Sequence, residues 1–288
     1  MSKPLTVRDF FKLFPDDEAC IVHLFDVRFG QGFACPKCER PSKWFRIKAE
    51  RAYSCQWCGH HLHPTVGTPF EQTRTPLQLW FYAIYMFTTT RNGVAAKELQ
   101  RQLGVTYKTA WRMAGMIRVH MADVDGDMLL GGMGQVVEID ETLIGGSVEG
   151  KGSGYKGNKS VVVGMLERGG EVVTTVVTTR HRAPMEALIQ SNVLPGSTVA
   201  TDEFGSYRRL DSLGYDHVTI RHKAGHYGPT NGIEGFWAQL KRSINGTHIH
   251  VSGKHLWKYA KEAEYRFNRR THPDLMFPEL VSTYPPLN

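Results

Sequence analysis

Residues 135–144, Gln-Val-Val-Glu-Ile-Asp-Glu-Thr-Leu-Ile, form a β-branched and apolar run that predicts a buried strand, with Asp140 inside it or at its end. A carboxylate in such a place is costly unless it is paired or holds a cation. Downstream, Ser160-Val-Val-Val-Gly-Met-Leu-Glu167 and Glu171-Val-Val-Thr-Thr-Val-Val-Thr-Thr179 flank Gly169-Gly170 and predict a hairpin. Residues 185–192 read as a helix, 197–202 as a short strand ending on Asp202, 207–213 as a helix and 217–221 as a strand. A long helix opens at Asn231-Gly-Ile-Glu-Gly-Phe-Trp-Ala-Gln-Leu-Lys-Arg242. Three strands, helix, strand, helix, strand, helix is the signature of an α/β domain with a mixed sheet.

That succession is also the order of the RNase H-like fold, in which an acid from the first strand, one from the end of the fourth and one on a later helix meet. The corresponding residues are Asp140, Asp202 and Glu234, whose carboxyl groups are expected to converge. Hard divalent cations demand oxygen ligands. Two Mg2+ ions about 3.5–4 Å apart activate an attacking oxygen and stabilise the leaving oxygen of a phosphodiester. Asn231 stands three residues before Glu234 on the same helix face, so the third catalytic position is open between them. Lys241 follows two turns after Glu234 with Arg242 beside it, both placed for DNA phosphate. Singly, each acid has an ordinary reading: Asp140 paired with a buried cation, Asp202 a helix N-cap, Glu234 a surface residue. Their joint placement on the right elements points to a metal site. Glu141 and Glu203 flank the two aspartates, and strand alternation turns Glu141 away from Asp140.

Nearer the N-terminus, Cys35-Pro-Lys-Cys38 and Cys55-Gln-Trp-Cys58 have the spacing of a tetrahedral four-thiolate zinc site. So short a segment cannot build its own core, and Zn2+ would supply much of its folding energy. His60, His61 and His63 read as loop histidines near solvent or DNA, and Cys20 as a core residue of an apolar helix. A buried helix follows, with Thr75 as N-cap and Pro76 in the first helical position. The pattern Gly93-Val-Ala-Ala-Lys-Glu-Leu-Gln-Arg-Gln-Leu-Gly104, then Val105-Thr-Tyr-Lys-Thr-Ala-Trp-Arg-Met113, predicts a helix-turn-helix or an ordinary helical hairpin. As a helix-turn-helix it would offer Thr106, Tyr107, Lys108, Thr109 and Arg112 to DNA.

The bulk numbers agree. Of 288 residues, 41% are hydrophobic and 22% charged, an ordinary globular balance. No apolar run approaches the roughly 18 residues of a membrane span, and the first residues lack a signal-peptide core, so a cytoplasmic, nucleoid-associated address is expected. An odd cysteine count argues against a disulfide framework. Net charge is +7, and residues 208–270 carry twelve Lys/Arg against five Asp/Glu, which leaves the rest of the chain balanced. A local surplus of this kind favours a polyanion partner. The expected organisation is an N-terminal helical segment (1–30), a zinc ribbon (31–68), a helical DNA-binding segment (69–125), a catalytic domain (134–270) and a C-terminal tail (271–288). Residues 124–134 read as a linker and 145–157 as a glycine-rich loop.

With these residues in view, the chain resembles the insertion-sequence transposases whose catalytic part is called the ISXO-two-like DDE domain. The resemblance runs through the CPxC…CxxC ribbon, Gly67-Thr-Pro-Phe, Pro76-Leu-Gln-Leu-Trp-Phe-Tyr-Ala-Ile, Tyr107-Lys-Thr-Ala-Trp-Arg, Glu138-Ile-Asp-Glu-Thr, Thr201-Asp-Glu and the 231–242 block, to Arg266-Phe-Asn-Arg. It implies cleavage and joining of DNA at terminal inverted repeats by a homo-oligomer, with Mg2+ or Mn2+ at the catalytic acids. One departure is Glu39, which follows Cys38 where such ribbons often have glycine. The alternatives are a domesticated, sequence-specific DNA-binding protein with an inactive DDE domain, and a nuclease that cuts without joining.

Overall fold

Two compact units, Met1–His120 with His272–Asn288 and Met121–Thr271, make up the chain. The computed structural model describes residues 5–126, 128–145, 159–202, 205–219 and 231–286. Residues 146–157 of the glycine-rich loop expected at 145–157, Glu203, residues 220–221 of the strand expected at 217–221 and the side chain of Asn231 lie outside the described residues.

In the first unit, side-chain caps set the opening helices. Thr6 accepts from the Asp9 backbone N–H ahead of α1 (Val7–Leu13), and Asp16 accepts from Ala19 ahead of α2 (Asp17–Arg28). Three short antiparallel strands follow in the order β1 (Trp44–Ile47), β2 (Ala52–Cys55), β3 (His61–Leu62). Helix α3 (Leu77–Thr89) buries Leu77, Trp80, Phe81, Ile84 and Phe87. It starts one residue later than its sequence predicts, with Pro76 at the N-cap. The Gln78 N–H donates instead to the Asp17 carboxylate of α2 at 3.0 Å, so the cap comes from another helix. Helices α4 (Ala96–Leu103) and α5 (Tyr107–Asp125) follow. The stretch expected to be a tail contains a helix, Met276–Ser282, which buries Met276, Phe277, Leu280 and Val281. Phe277 packs against Phe10 and Phe14, with ring centroids 5.9 and 6.0 Å away. The spacing of those four apolar residues gives one helical stripe, which burial rewards.

In the second unit a two-residue strand, β4 (Leu130–Gly131), precedes the main sheet and pairs with β8 (Val193–Leu194). Strands β5 (Val136–Ile144), β6 (Ser160–Glu167) and β7 (Val172–Val177) run antiparallel. Helix α6 (Arg182–Asn192) returns the chain so that β9 (Thr198–Thr201) lies parallel to β5, and β10 (Asp216–Thr219) parallel to β9. The strand order β10-β9-β5-β6-β7 is the RNase H-like arrangement expected from the sequence. The helix expected at 207–213 is instead two 3-10 turns, Gly205–Tyr207 and Leu210–Leu213. Tyr207 and Leu210, three residues apart, both go into the core, which suits a three-residue period. Residues expected to form a linker are tied down, for Asp125 accepts from Asn268 at 3.1 Å and ion-pairs with Arg269.

Alternation along the strands gives the sheet two cores. On one face Val137, Ile139 and Met165 meet Met185 and Ile189 of α6. On the other, Val162 and Leu166 meet Ile233, Phe236 and Trp237 of α7 (Asn231–Arg242) and Leu256 of α8 (Gly253–Asn268). No helix among the described residues is long and apolar enough to cross a membrane.

Candidate functional site

Strands β5 and β9 pair in parallel with Val136 opposite Thr198, Val137 opposite Val199 and Glu138 opposite Ala200. Asp140 lies two residues beyond Glu138 in β5 and Asp202 two beyond Ala200, just past the end of β9, near enough for the charge of Asp202 to act on Asp140. Asp140 shares the α7 face with Glu138, and its Oδ2 accepts from the Trp237 indole N–H at 3.0 Å. Its carboxyl pKa is pushed up to about 6. Burial contributes most, the charges of Glu141 and Asp202 add to it, and hydrogen bonds from the Glu141 backbone and Trp237 hold it back. Among the described residues no cation is paired with Asp140. Glu141 points to the opposite face, as strand alternation predicts. There it accepts from the Tyr207 hydroxyl at 2.6 Å and Arg180 at 3.2 Å. Glu141 thus has the ordinary partners of a buried acid, whereas the donors to Asp140, the Trp237 indole and the Glu141 backbone, are neutral and its charged neighbours are carboxylates.

Helix α7 is seated on this strand by a second acid. Glu138, buried, accepts the Ile233 N–H at 3.0 Å through Oε2 and Arg168 at 3.3 Å through Oε1, so it fills the helix's N-terminal donor position. Two glycines allow the close approach. A Cβ on Gly232 would lie 2.9 Å from Glu138 Oε2. One on Gly164, opposite Asp140 in β6, would lie 2.7 Å from the Trp237 ring. Glu234 is exposed, one turn before Trp237. The three acids expected to converge do so only in part. Oxygens of Asp140, Asp202 and Glu234 do not all three lie within 4.8 Å of one another, whereas two other sets of ligand groups among the described residues meet that limit. Like charges without a cation repel, and Glu234 is free to stay in water.

The first of those groups is the four cysteines. The sulfurs of Cys35 and Cys58 are 3.6 Å apart and those of Cys38 and Cys55 3.9 Å. Zn–S bonds near 2.3 Å in a tetrahedron require S···S separations of about 3.8 Å, so the set fits Zn2+. Burial raises the Cys55 thiol, but the Ser42 hydroxyl and the backbone N–H groups of Cys58 and Trp57 outweigh it and lower its pKa. At Cys58 the His60 backbone N–H lowers the pKa, but burial and the other three thiols together raise it, as expected of sulfurs crowded together without a cation. Each CxxC knuckle is followed by a left-handed residue, Glu39 with φ 57° and Gly59 with φ 67°. Glycine adopts that conformation without strain and glutamate does not, so Glu39→Gly is expected to stabilise the ribbon by about 1 kcal/mol. A higher midpoint for zinc-loaded protein in a urea titration would show it, and a lower one would contradict it. The second group is Glu50, His61 and His63, all exposed. Two of the histidines expected to be plain loop residues therefore face a carboxylate, with His61 Nδ1 3.3 Å from Glu50. Cys20 is fully buried, as a core residue should be.

Helix α4 ends at Gly104 in the left-handed conformation, and α5 begins three residues later. Thr106 accepts from the Thr109 N–H at 3.2 Å and so caps α5 instead of being offered outward. Tyr107, Lys108, Trp111 and Arg112 are exposed on α5, and Lys241 and Arg242 on the last turn of α7. If α5 lies on DNA, Lys108→Ala and Arg112→Ala should each weaken binding and lower the salt dependence by about one unit of slope. Fluorescence anisotropy across a salt series measures this, and unchanged binding by both variants would favour an ordinary helical hairpin.

A family model described as an ISXO2-like transposase domain matches residues 128–268, and one described as a transposase zinc-ribbon domain matches residues 15–61. An uncharacterized transposase-like protein of Haemophilus influenzae is 36% identical over 34% of this chain and 81% of its own length. The chain belongs to the ISXO2-like transposases. An uncharacterized protein in transposable element ISH50 of Halobacterium salinarum is 27% identical over 69% of this chain and 72% of its own. Among solved structures, a chain of a simian T-cell lymphotropic virus intasome complex aligns at 14% identity with a TM-score of 0.29, covering 58% of this chain and 63% of that one. A chain of the Mos1 strand transfer complex aligns at 14% identity with a TM-score of 0.25, over 62% and 73%.

Within this transposase, Glu138, Gly164 and Trp237 have positions that sequence reading did not assign. A signal existed for each. Glu138 is two residues from Asp140 on one strand face, Trp237 is one turn from Glu234, and Gly164 interrupts an otherwise apolar strand.

Proposed function

We propose that the chain cleaves DNA at the terminal inverted repeats of an insertion sequence and joins the ends to target DNA, acting as a homo-oligomer on the chromosome. The observation that carries this reading is the position of Asp140 in β5 beside Asp202, which follows the parallel strand β9, with Asp140 partly buried, its pKa raised in part by Asp202, and bonded to a neutral indole where Glu141 has an arginine. Asp140 and Asp202 would hold Mg2+ or Mn2+, with Glu234, or Asn231 in its place, as the third ligand. When bound, the metal supplies charge stabilisation at phosphate oxygens and activation of the attacking hydroxyl.

The chain's own residues do the rest. Trp237 fixes one oxygen of Asp140 through its indole N–H, and Glu138 anchors the helix that carries Trp237 and Glu234. Lys241 and Arg242 neutralise backbone phosphate near that helix, and Lys108 and Arg112 bind the element ends through the helix-turn-helix. The test is a plasmid carrying the element, incubated with the full-length protein and Mg2+. Nicked or excised ends and joined products are expected; binding without any cleavage would favour a domesticated DNA-binding protein, and cleavage without joining a nuclease.

A further inference from the structure

Beside the start of α6 lies a cavity of about 520 Å3 whose wall includes Arg180, His181, Arg182, Glu186, Arg208 and Arg209. Four guanidinium groups against one carboxylate is a concentration of like charge that opposes folding and calls for a counter-charge. Arg180 already has one. It pairs with Glu141 at 3.2 Å, and its carbonyl accepts from the Ser206 hydroxyl at 2.7 Å, which ties the cavity to β5, the strand of Asp140. Arg182, Arg208 and Arg209 are exposed and make no ion pair among the described residues.

The place matters as much as the charge. Gly205, on the cavity wall, follows Asp202 by three residues, so their Cα atoms are at most about 11 Å apart. That is a distance a nucleic-acid strand covers within a few nucleotides of a phosphate held at Asp140 and Asp202. The cavity is on the α6 side of the sheet, whereas Lys241 and Arg242 belong to α7 on the other side. One basic site therefore cannot stand in for the other.

We propose that this cavity holds successive backbone phosphates of a DNA strand passing Asp202 on the α6 side, one for each of Arg182, Arg208 and Arg209. The inference rests on reading the Asp140–Asp202 site as a DNA-joining centre. A guanidinium fork binds phosphate oxygens in a bidentate way. The first turn of α6 adds the backbone N–H groups of Arg182 and Ala183, both on the same wall. Nothing in such a set reads bases, so the strand can have any sequence.

The experiment uses the full chain and a fluorescently labelled duplex of arbitrary sequence, titrated at several salt concentrations. The triple variant Arg182→Ala, Arg208→Ala, Arg209→Ala is expected to bind with a salt slope shallower by about two to three units, and each single variant by about 0.9. Removing charge elsewhere, with Arg8→Ala and Lys12→Ala on α1, should leave the slope as it was. Wild-type binding matched by all the cavity variants would overturn the cavity assignment alone. Failure of the wild type to bind any DNA would overturn the transposase reading and the cavity with it. Two activity assays separate the sources of the strand. Loss of joining to a plasmid with end cleavage intact assigns the cavity to target DNA, and loss of both assigns it to the element end.

Discussion

Asp140→Asn and, separately, Asp202→Asn are expected to abolish strand cleavage while DNA binding stays within about twofold of wild type. Each removes one oxyanion ligand of a cation whose charge stabilisation is worth several kcal/mol. At about 1.4 kcal/mol per decade, that is a loss of roughly a thousandfold or more. The basic residues of α5 and α7 are untouched, so binding remains. Asp140→Asn carries a second signature that a merely structural aspartate would lack. The folded chain holds the Asp140 proton to about pH 6 instead of the ordinary 3.8. The native state therefore binds more protons than the unfolded chain between those values. The stability this gives is present below about pH 4 and is lost as pH rises through 6, amounting to at most about 3 kcal/mol. At pH 8 without metal, Asp140→Asn should be the more stable protein. Added Mn2+ should stabilise the wild type and not the variant. Urea titrations at pH 5 and pH 8, with and without Mn2+, measure both effects. A variant less stable than wild type at pH 8 in metal-free buffer would mean that Asp140 is an ordinary paired acid.

The second large effect is loss of zinc. A chelator strong enough to strip Zn2+, or Cys58→Ser, is expected to unfold the ribbon. Structural zinc sites in small peptides contribute about 10–16 kcal/mol at neutral pH, comparable with the whole stability of a domain. The strands β1 to β3 are short, and the Cys55 sulfur lies inside their core. Hydrogen exchange over residues 31–68 should rise to the rate of an open chain, while β5, β6 and β7 in the second unit keep their protection. Full protection of the ribbon in protein shown to contain no zinc would contradict the assignment.

Much of this arrangement was legible in the sequence, for identifiable reasons. The order of elements 136–201 follows from β-branched, apolar runs such as Val136–Ile144 and Ser160–Glu167, bounded by turn residues and too short for buried helices. The cysteine spacing specifies four sulfurs around one ion. Strand alternation alone separates Asp140 from Glu141, and their observed partners lie on opposite faces of the sheet. What could not be read depended on distant partners. The α3 N-cap is set by Asp17, sixty-one residues away in the chain. The 3-10 turns around Tyr207 depend on which of their residues the core accepts. The last helix is seven residues long and gains its place from distant partners, among them Phe10, Phe14, Tyr85 and the His120 ring on the Leu280 carbonyl. Glu138 and Trp237 were visible as residue types, but their work depends on α7 lying over β5, which no local pattern states.

The most direct measurement is anomalous diffraction from crystals of the full chain soaked in Mn2+. The result expected is a manganese peak bound by carboxylate oxygens of both Asp140 and Asp202, with Glu234 or Asn231 drawn toward it. A map with no manganese at these two residues, or with Asp140 turned to an arginine or lysine, would contradict the assignment of a catalytic metal site here.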